Sequence, residues 1–204
     1  MYNTLMTILP CDFYLRPAPV VARALLGMRL VRIVDGQRIS GRIVETEAYY
    51  GEEDAACHAR FGLTKRNAVM FGPPGRAYVY FTYGMHWCLN AVTGAEGSPA
   101  AVLIRAILPV EGPETISANR SGVPELNWTN GPAKLCRALQ IDGSLYGAVL
   151  CAQDSPLRIE EDMNVKDAVI ASSPRVGIQY APEPWLSMPW RYRVIAPEGL
   201  RNEL

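Results

Sequence analysis

Glu45, Glu47 and Tyr49, two apart in ETEAY, would project from one face of an extended strand and bring two carboxylates and a phenol to one surface. A carboxylate there could act as a general base, taking a proton from an attacking water while stabilising positive charge on the group attacked. Ile43, Glu45 and Glu47 alternate with Val44, Thr46 and Ala48, so the period leaves open which face is wet. Ordinary surface glutamates are the competing reading. Further on, YVYFTYG puts Tyr78 and Tyr80 on one face of another strand and Tyr83 before Gly84, at a turn where a ring would stand exposed. Such rings can stack on a planar group, although core packing is the usual explanation for the first two. The two histidines flank this block, His58 next to Cys57 and His86 two before Cys88. That spacing lacks the paired ligands of a structural zinc site, so no metal is expected. His58 suits either a planar ligand or a satisfied structural role.

These side chains need a sheet to carry them, and the apolar stretches predict one. Residues 17–26 read as a short helix with Val20, Val21, Ala24 and Leu25 on one face, ended at Gly27. Residues 28–34 and 37–49 flank Asp35 and Gly36, a pair that accepts the positive backbone angles of a tight hairpin. Residues 76–92 and 100–108, the latter with one internal arginine, Arg105, supply further strands. Between them and the hairpin, residues 51–74 are polar and irregular, long for a connection and therefore read as a functional loop. Residues 112–130 form a polar connection with a helical start. Gly131 and Pro132 then introduce a helix in AKLCRALQI, and residues 168–180 and 190–195 make a closing strand pair. No repeat or linker divides the chain.

With 204 residues, 49% of them apolar and 20% charged, the chain can bury one sizeable core. Its 17 Gly and 16 Pro follow no period, which excludes collagen-like and coiled-coil chains. No apolar run approaches the roughly 20 residues that span a bilayer, and the start lacks a leader pattern. A soluble, intracellular protein is expected. Five cysteines, at 11, 57, 88, 136 and 151, form an odd set without a C-x-x-C pair and read as reduced core thiols. The net charge of zero argues weakly against a polyanionic partner. Yet Arg16, Arg23, Arg29, Arg32, Arg38 and Arg42 face only Asp35 over residues 13–44, while residues 154–167 are acid-rich. A basic face or an ordinary solvated one would account for this, the second being the plainer reading. There is no G-x-S-x-G, phosphate loop, H-E-x-x-H or Gly-rich dinucleotide fingerprint, so serine hydrolases, nucleotide hydrolysis and redox chemistry lose ground.

GRIVETEAYYGEEDAACHARFGLTKRNAVMFGPPGRAYVYFTYGMHWCLNAV, followed by IRA, NGPAKLCRALQI, PRVGIQYA and WRYRV, resembles the alkyladenine (3-methyladenine) DNA glycosylase family over nearly the whole length. The resemblance implies one α+β domain over residues 1–204, built on a curved, mainly antiparallel β-sheet with flanking helices, residues 1–11 being candidates for disorder. It also implies a monofunctional glycosylase that flips alkylated or deaminated purines from double-stranded DNA, hydrolyses the N-glycosidic bond and leaves an abasic site. No metal, cofactor or obligate protein partner is implied. A monomer is expected, in the cytoplasm or nucleoid of a bacterium or the nucleus of a eukaryote.

Residue by residue, the resemblance puts the water-activating carboxylate on Glu47 and its supporting arginine on Arg105, with the backbone carbonyl near Val176 completing the water's site. The base pocket falls on Tyr49, His58, Tyr80 and Asn90, with Met85 and His86 beside them. Tyr83 is the plug that fills the vacated stack. Asn90 would exclude the exocyclic amine of normal guanine. Arg60, Lys65, Arg66, Arg76 and Lys134 are candidate phosphate contacts. His86 stands where the family often has Tyr, and Ala133 gives GPAK in place of the commoner GPGK. Two rivals stay in view. A non-catalytic nucleic-acid reader would tolerate loss of Glu47, and a hydrolase of free nucleosides or small glycosides would need a second nearby carboxylate and have no use for Tyr83.

Overall fold

Asp35 and Gly36 both take left-handed backbone, φ 48° and 77°, so a two-residue turn can follow the right-handed strand twist. They join β1 (Arg29–Val34) to β2 (Gln37–Tyr50) in the predicted hairpin. A turn through Tyr83 and Gly84, φ 52° and 65°, joins β3 (Ala77–Thr82) to β4 (His86–Thr93). With β5 (Ala100–Glu111), β6 (Leu157–Glu160), β7 (Ile170–Ser173) and β8 (Arg191–Val194) they form one sheet in the computed structural model, which describes residues 7–197. The order is β3-β4-β5-β2-β1-β6, with β8 paired to β2 and β7 to β8, all antiparallel.

β2 is the spine. It pairs with β5 along one edge, and along the other with β1 over residues 37–42 and with β8 over residues 45–47. Its register against β5 shifts on both sides of Glu45, and the adjacent Ile43 and Val44 are both buried in the main core. The alternation therefore changes phase here, the mark of a bulge. Beyond it Thr46 and Ala48 face the core, where the Thr46 hydroxyl donates to the Ala22 carbonyl at 2.8 Å, and Glu45, Glu47 and Tyr49 face the other way. The irregularity settles what the period left open.

The core face is covered by α1 (Ala18–Ala24) and α3 (Pro132–Ala138), with α2 (Pro113–Asn119) alongside. At seven residues each they are well short of the length, about 12 residues, at which an isolated helix becomes even marginal. Burial of Val21, Leu25, Ile116, Leu135 and Leu139 holds them, at about 1.5–3 kcal/mol for each large side chain. The opposite face carries a smaller apolar cluster of Cys57, Ala59, Val69, Met70, Tyr78, Val92 and Ala101, roofed by the irregular segment over residues 51–74.

Several expectations need correction. Cys11 and Cys151 form a disulfide, Cα atoms 5.3 Å apart, because the chain start returns to the sheet near Gly75; Cys57, Cys88 and Cys136 are free and buried. Residues 7–11 are not loose: Leu9 is buried and donates its N–H to the Ile159 carbonyl at 2.9 Å, while residues 1–6 lie outside the described part. The closing pair is shorter than predicted, since β7 stops at Ser173 before Pro174, which has no N–H for a ladder. β6, four residues in the acid-rich stretch, was not anticipated. That stretch pairs with four of the early arginines: Arg29 and Arg42 reach Asp162 at 2.9 Å, Arg38 reaches Glu160 at 2.6 Å, and Arg23 of α1 reaches Asp167 at 2.9 Å. Neither reading of the basic run holds for Arg29 and Arg42, which are buried in these ion pairs rather than forming a basic or a solvated face; Arg23 and Arg38 stay partly exposed.

Candidate active site

Glu47 is fully buried on the face of β2 turned from the main core. Its Oε1 accepts the Val176 backbone N–H at 2.7 Å, its Oε2 accepts the Tyr49 hydroxyl at 2.9 Å, and Arg105 Nη1 approaches Oε2 at 3.3 Å. Three donors occupy most of the roughly four lone-pair sites of a carboxylate and leave room for one more partner. Burial pushes the Glu47 pKa up; Arg105, the Val176 amide and Tyr49 pull it back, and Glu45 adds to the rise. The group is thus a stronger base than an exposed glutamate, held in one orientation.

Arg105 is itself fixed by charge. It occupies the position on β5 skipped in the pairing with β2, and its Nε donates to Glu45 at 2.7 Å. Arg191 on β8 donates to the same Glu45 oxygen at 2.7 Å. Burial works against the Arg105 charge, but Glu47 and Glu45 hold its pKa above the usual value. Burial likewise opposes ionisation of Glu45, and Arg191 and Arg105 hold it below the usual carboxylate range. The two glutamates, which the strand period alone left equivalent, therefore differ in role: Glu45 braces the arginine, Glu47 stands behind the cavity.

That cavity, about 450 Å³, lies between the sheet and the 51–74 segment, within the range of small-ligand sites. Tyr49, Arg105 and Val176 line it and screen Glu47, and His58, Tyr80 and Asn90 line it as well. The His58 and Tyr80 rings meet edge to face with centroids 4.6 Å apart, and His58 Nδ1 is 2.8 Å from the Tyr78 hydroxyl. Desolvation, helped by Arg66 and Arg60, lowers the His58 pKa to about 4, so the ring is neutral at neutral pH even though it opens to the cavity mouth. Burial raises the Tyr80 phenol, which is hydrogen-bonded to Cys88. Asn90 donates to the Tyr78 carbonyl at 3.0 Å, which orients its amide at the wall.

Tyr83 stands at the rim, 84% exposed, with left-handed backbone rare for so large a residue. Met85 and His86 are not walls of the cavity as expected: both are exposed at the far end of the same hairpin, one strand row beyond Cys88, which lines it. Arg66 lines the cavity and donates to the Phe81 carbonyl at 3.2 Å. Lys65 is exposed beside it, and Lys134 is paired with Asn130 at 2.7 Å. Arg76 donates to the Gly147 carbonyl at 3.1 Å, and Arg60 to the Ala55 carbonyl.

Sequence reasoning missed Asp54 and Arg175, the pair that joins the two halves of this wall. Both side chains are fully buried and form a two-point ion pair, with Arg175 Nη2 donating to Asp54 Oδ1 at 2.9 Å. Arg175 also donates to the Ala48 carbonyl at 3.0 Å and its guanidinium stacks 4.7 Å from the centre of the Tyr49 ring. It immediately precedes Val176, whose amide grips Glu47. Both residues lay inside stretches that carried the resemblance, but nothing in the spacing couples positions 121 apart.

An open-mouthed, aromatic-lined cavity backed by a desolvated, donor-clamped carboxylate can seat a planar ring beside a general base. Residues 12–197 match the methylpurine-DNA glycosylase (MPG) family. The chain is 52% identical to a protein of Methanocella arvoryzae over 188 residues, 92% of each chain. It is 48% identical to one of Myxococcus xanthus over 186 residues, 91% of this chain and 89% of that one. It is 49% identical to one of Desulfitobacterium hafniense over 190 residues, 89% and 92% of the two chains. All three are provisionally named 3-methyladenine DNA glycosylases. The chain belongs to the methylpurine-DNA glycosylase family: it is a DNA glycosylase for alkylated bases, a hydrolase of N-glycosyl bonds.

Proposed function

We propose that this enzyme is a monofunctional glycosylase of base-excision repair that removes alkylated or deaminated purines, of the 3-methyladenine, 7-methylguanine or hypoxanthine type, from duplex DNA. The observation that carries the proposal is the buried Glu47 carboxylate, held by the Val176 amide, Tyr49 and Arg105 directly behind an aromatic cavity. The nucleotide swings out, Tyr83 fills the vacated stack, and the purine lies against Tyr49, His58 and Tyr80. The bond from the sugar C1′ to the base nitrogen breaks with its electron pair leaving on the base. Glu47 takes a proton from water as the water oxygen bonds to C1′, and its negative charge stabilises the oxocarbenium-like sugar. Arg105 and the Val176 carbonyl hold the water and carboxylate, and Asn90 rejects the exocyclic amine of guanine.

Cationic purines leave as neutral bases and need no acid, which fits a site with one general base and a neutral His58, whereas hypoxanthine leaves as an anion that takes its proton from solvent. Arg66, Lys65 and Lys134 serve as phosphate contacts. The enzyme acts as a monomer without an obligate partner, in the cytoplasm or nucleoid of a bacterium or in a nucleus, because one flipped base needs one pocket and the duplex substrate is there. The test is incubation in chelator with a duplex carrying one hypoxanthine or one alkylated purine. Release of free base, leaving an alkali-labile site and no direct strand cut, supports the reading. Tight binding without release from either substrate makes the protein a non-catalytic damage reader.

A further inference from the structure

Resting on the reading of this chain as a glycosylase acting on duplex DNA, we infer that Phe61 is a second stacking contact, seating a nucleobase of the duplex outside the cavity that takes the flipped base. Phe61 is 82% exposed at a loop tip, with Leu63 65% exposed beside it, an apolar pair that no folding requirement explains. The loop is braced from within. The buried Asn67 donates to the His58 and Gly62 carbonyls at 3.0 Å and accepts the Thr64 N–H at 2.7 Å, fixing the backbone on both sides of Phe61.

The ring also has a built support. The Arg60 guanidinium lies 4.5 Å from the centre of the Phe61 ring and 5.0 Å from that of Tyr180, and donates to the Ala55 carbonyl. Tyr180 lines the cavity, so the stack Phe61, Arg60, Tyr180 runs outward from the cavity wall and is continuous with the surface that must meet DNA. Arg60 thereby acts as a spacer between rings, with its charge at the surface, rather than as a free phosphate contact. A flat apolar ring on a cationic, preorganised base matches the π-face of a nucleobase beside phosphate.

The test compares wild type, Phe61→Ala and Phe61→Trp for binding to a duplex with an uncleavable abasic-site analogue, over a range of salt concentrations. Excision is measured in parallel at saturating enzyme. Phe61→Ala is expected to weaken binding about tenfold, the loss of one base stack, with the slope of log K against log salt unchanged and saturated excision unaffected. Phe61→Trp should restore the affinity. Unchanged binding by Phe61→Ala, while the wild type excises normally, overturns this inference alone. A loss accompanied by a shallower salt slope also overturns it, because Phe61 would then act only by placing the Arg60 charge. Failure of the wild type to bind duplex overturns the inference and the glycosylase reading together.

Discussion

Replacing Asp54 by Asn keeps its size and removes the charge that faces Arg175. In the native protein Arg175 donates to both Asp54 oxygens, with both side chains fully excluded from water, and Asp54 also accepts the Ala56 N–H at 2.9 Å and the Tyr50 N–H at 3.2 Å. An asparagine has one acceptor oxygen and would turn an amide N–H₂ toward the guanidinium, leaving a buried cation without its counter-charge. Breaking such a pair from one side costs about 3–5 kcal/mol. For a domain of this size each kcal/mol lowers the melting temperature by roughly 2–4 °C, so a fall of roughly 6–20 °C is predicted by calorimetry. Because Arg175 leads directly into Val176, the Glu47 clamp should loosen too. Without the Val176 hydrogen bond, which lowers the Glu47 pKa, the acid limb of the excision rate moves to higher pH even below the melting range. A variant that melts within about 2 °C of wild type, with the same pH profile, would refute the role assigned to this pair.

Three further outcomes follow from the same geometry. Excision by wild type should fall as pH drops through the raised Glu47 pKa, because the protonated carboxyl cannot accept a proton, and Tyr49→Phe, which keeps the ring but removes one donor, should shift that limb upward; single-turnover rates across pH check both. Tyr83→Ala removes an exposed ring and should leave the melting temperature unchanged while lowering excision from duplex at least about tenfold, since unstacking a base costs a few kcal/mol; free nucleosides should show no such dependence. Reducing the Cys11–Cys151 bond, which closes a 140-residue loop, should destabilise the fold by about 2–5 kcal/mol; melting with and without reductant tests this, and a Cys11→Ser/Cys151→Ser double variant should show no response to reductant.

Local signals were read well. Asp35 and Gly36 announced a turn through their backbone tolerance, and Val21 of α1 and Leu25 at its C-terminal end were placed on the covered face, but Val20, put on the same face, is 48% exposed, and Ala18 and Ala22 are buried instead. The residues gathered around the cavity, Glu47, Tyr49, His58, Tyr80, Asn90 and Arg105, were named from motifs and a family resemblance, with Val176 joining them through its amide. What stayed hidden depends on distant partners or small phase changes. The role of Glu45 as a brace for Arg105 rests on a bulge and on Arg191, 146 residues away, and the Asp54–Arg175 clamp and the disulfide join equally remote segments. Met85 and His86 were placed beside the pocket by the family resemblance, and in this chain both lie exposed at the end of the hairpin, outside the cavity's lining.

The central claim is that Glu47 activates the water that cleaves the glycosidic bond. Its most direct test is single-turnover release of an alkylated purine or hypoxanthine from duplex DNA by wild type and by Glu47→Gln, with DNA binding measured for both in chelator. Gln can accept the Val176 amide through its carbonyl oxygen but cannot take a proton from water. The account predicts binding by both proteins and base release by the wild type alone. Equal release by the two would remove Glu47 from the mechanism.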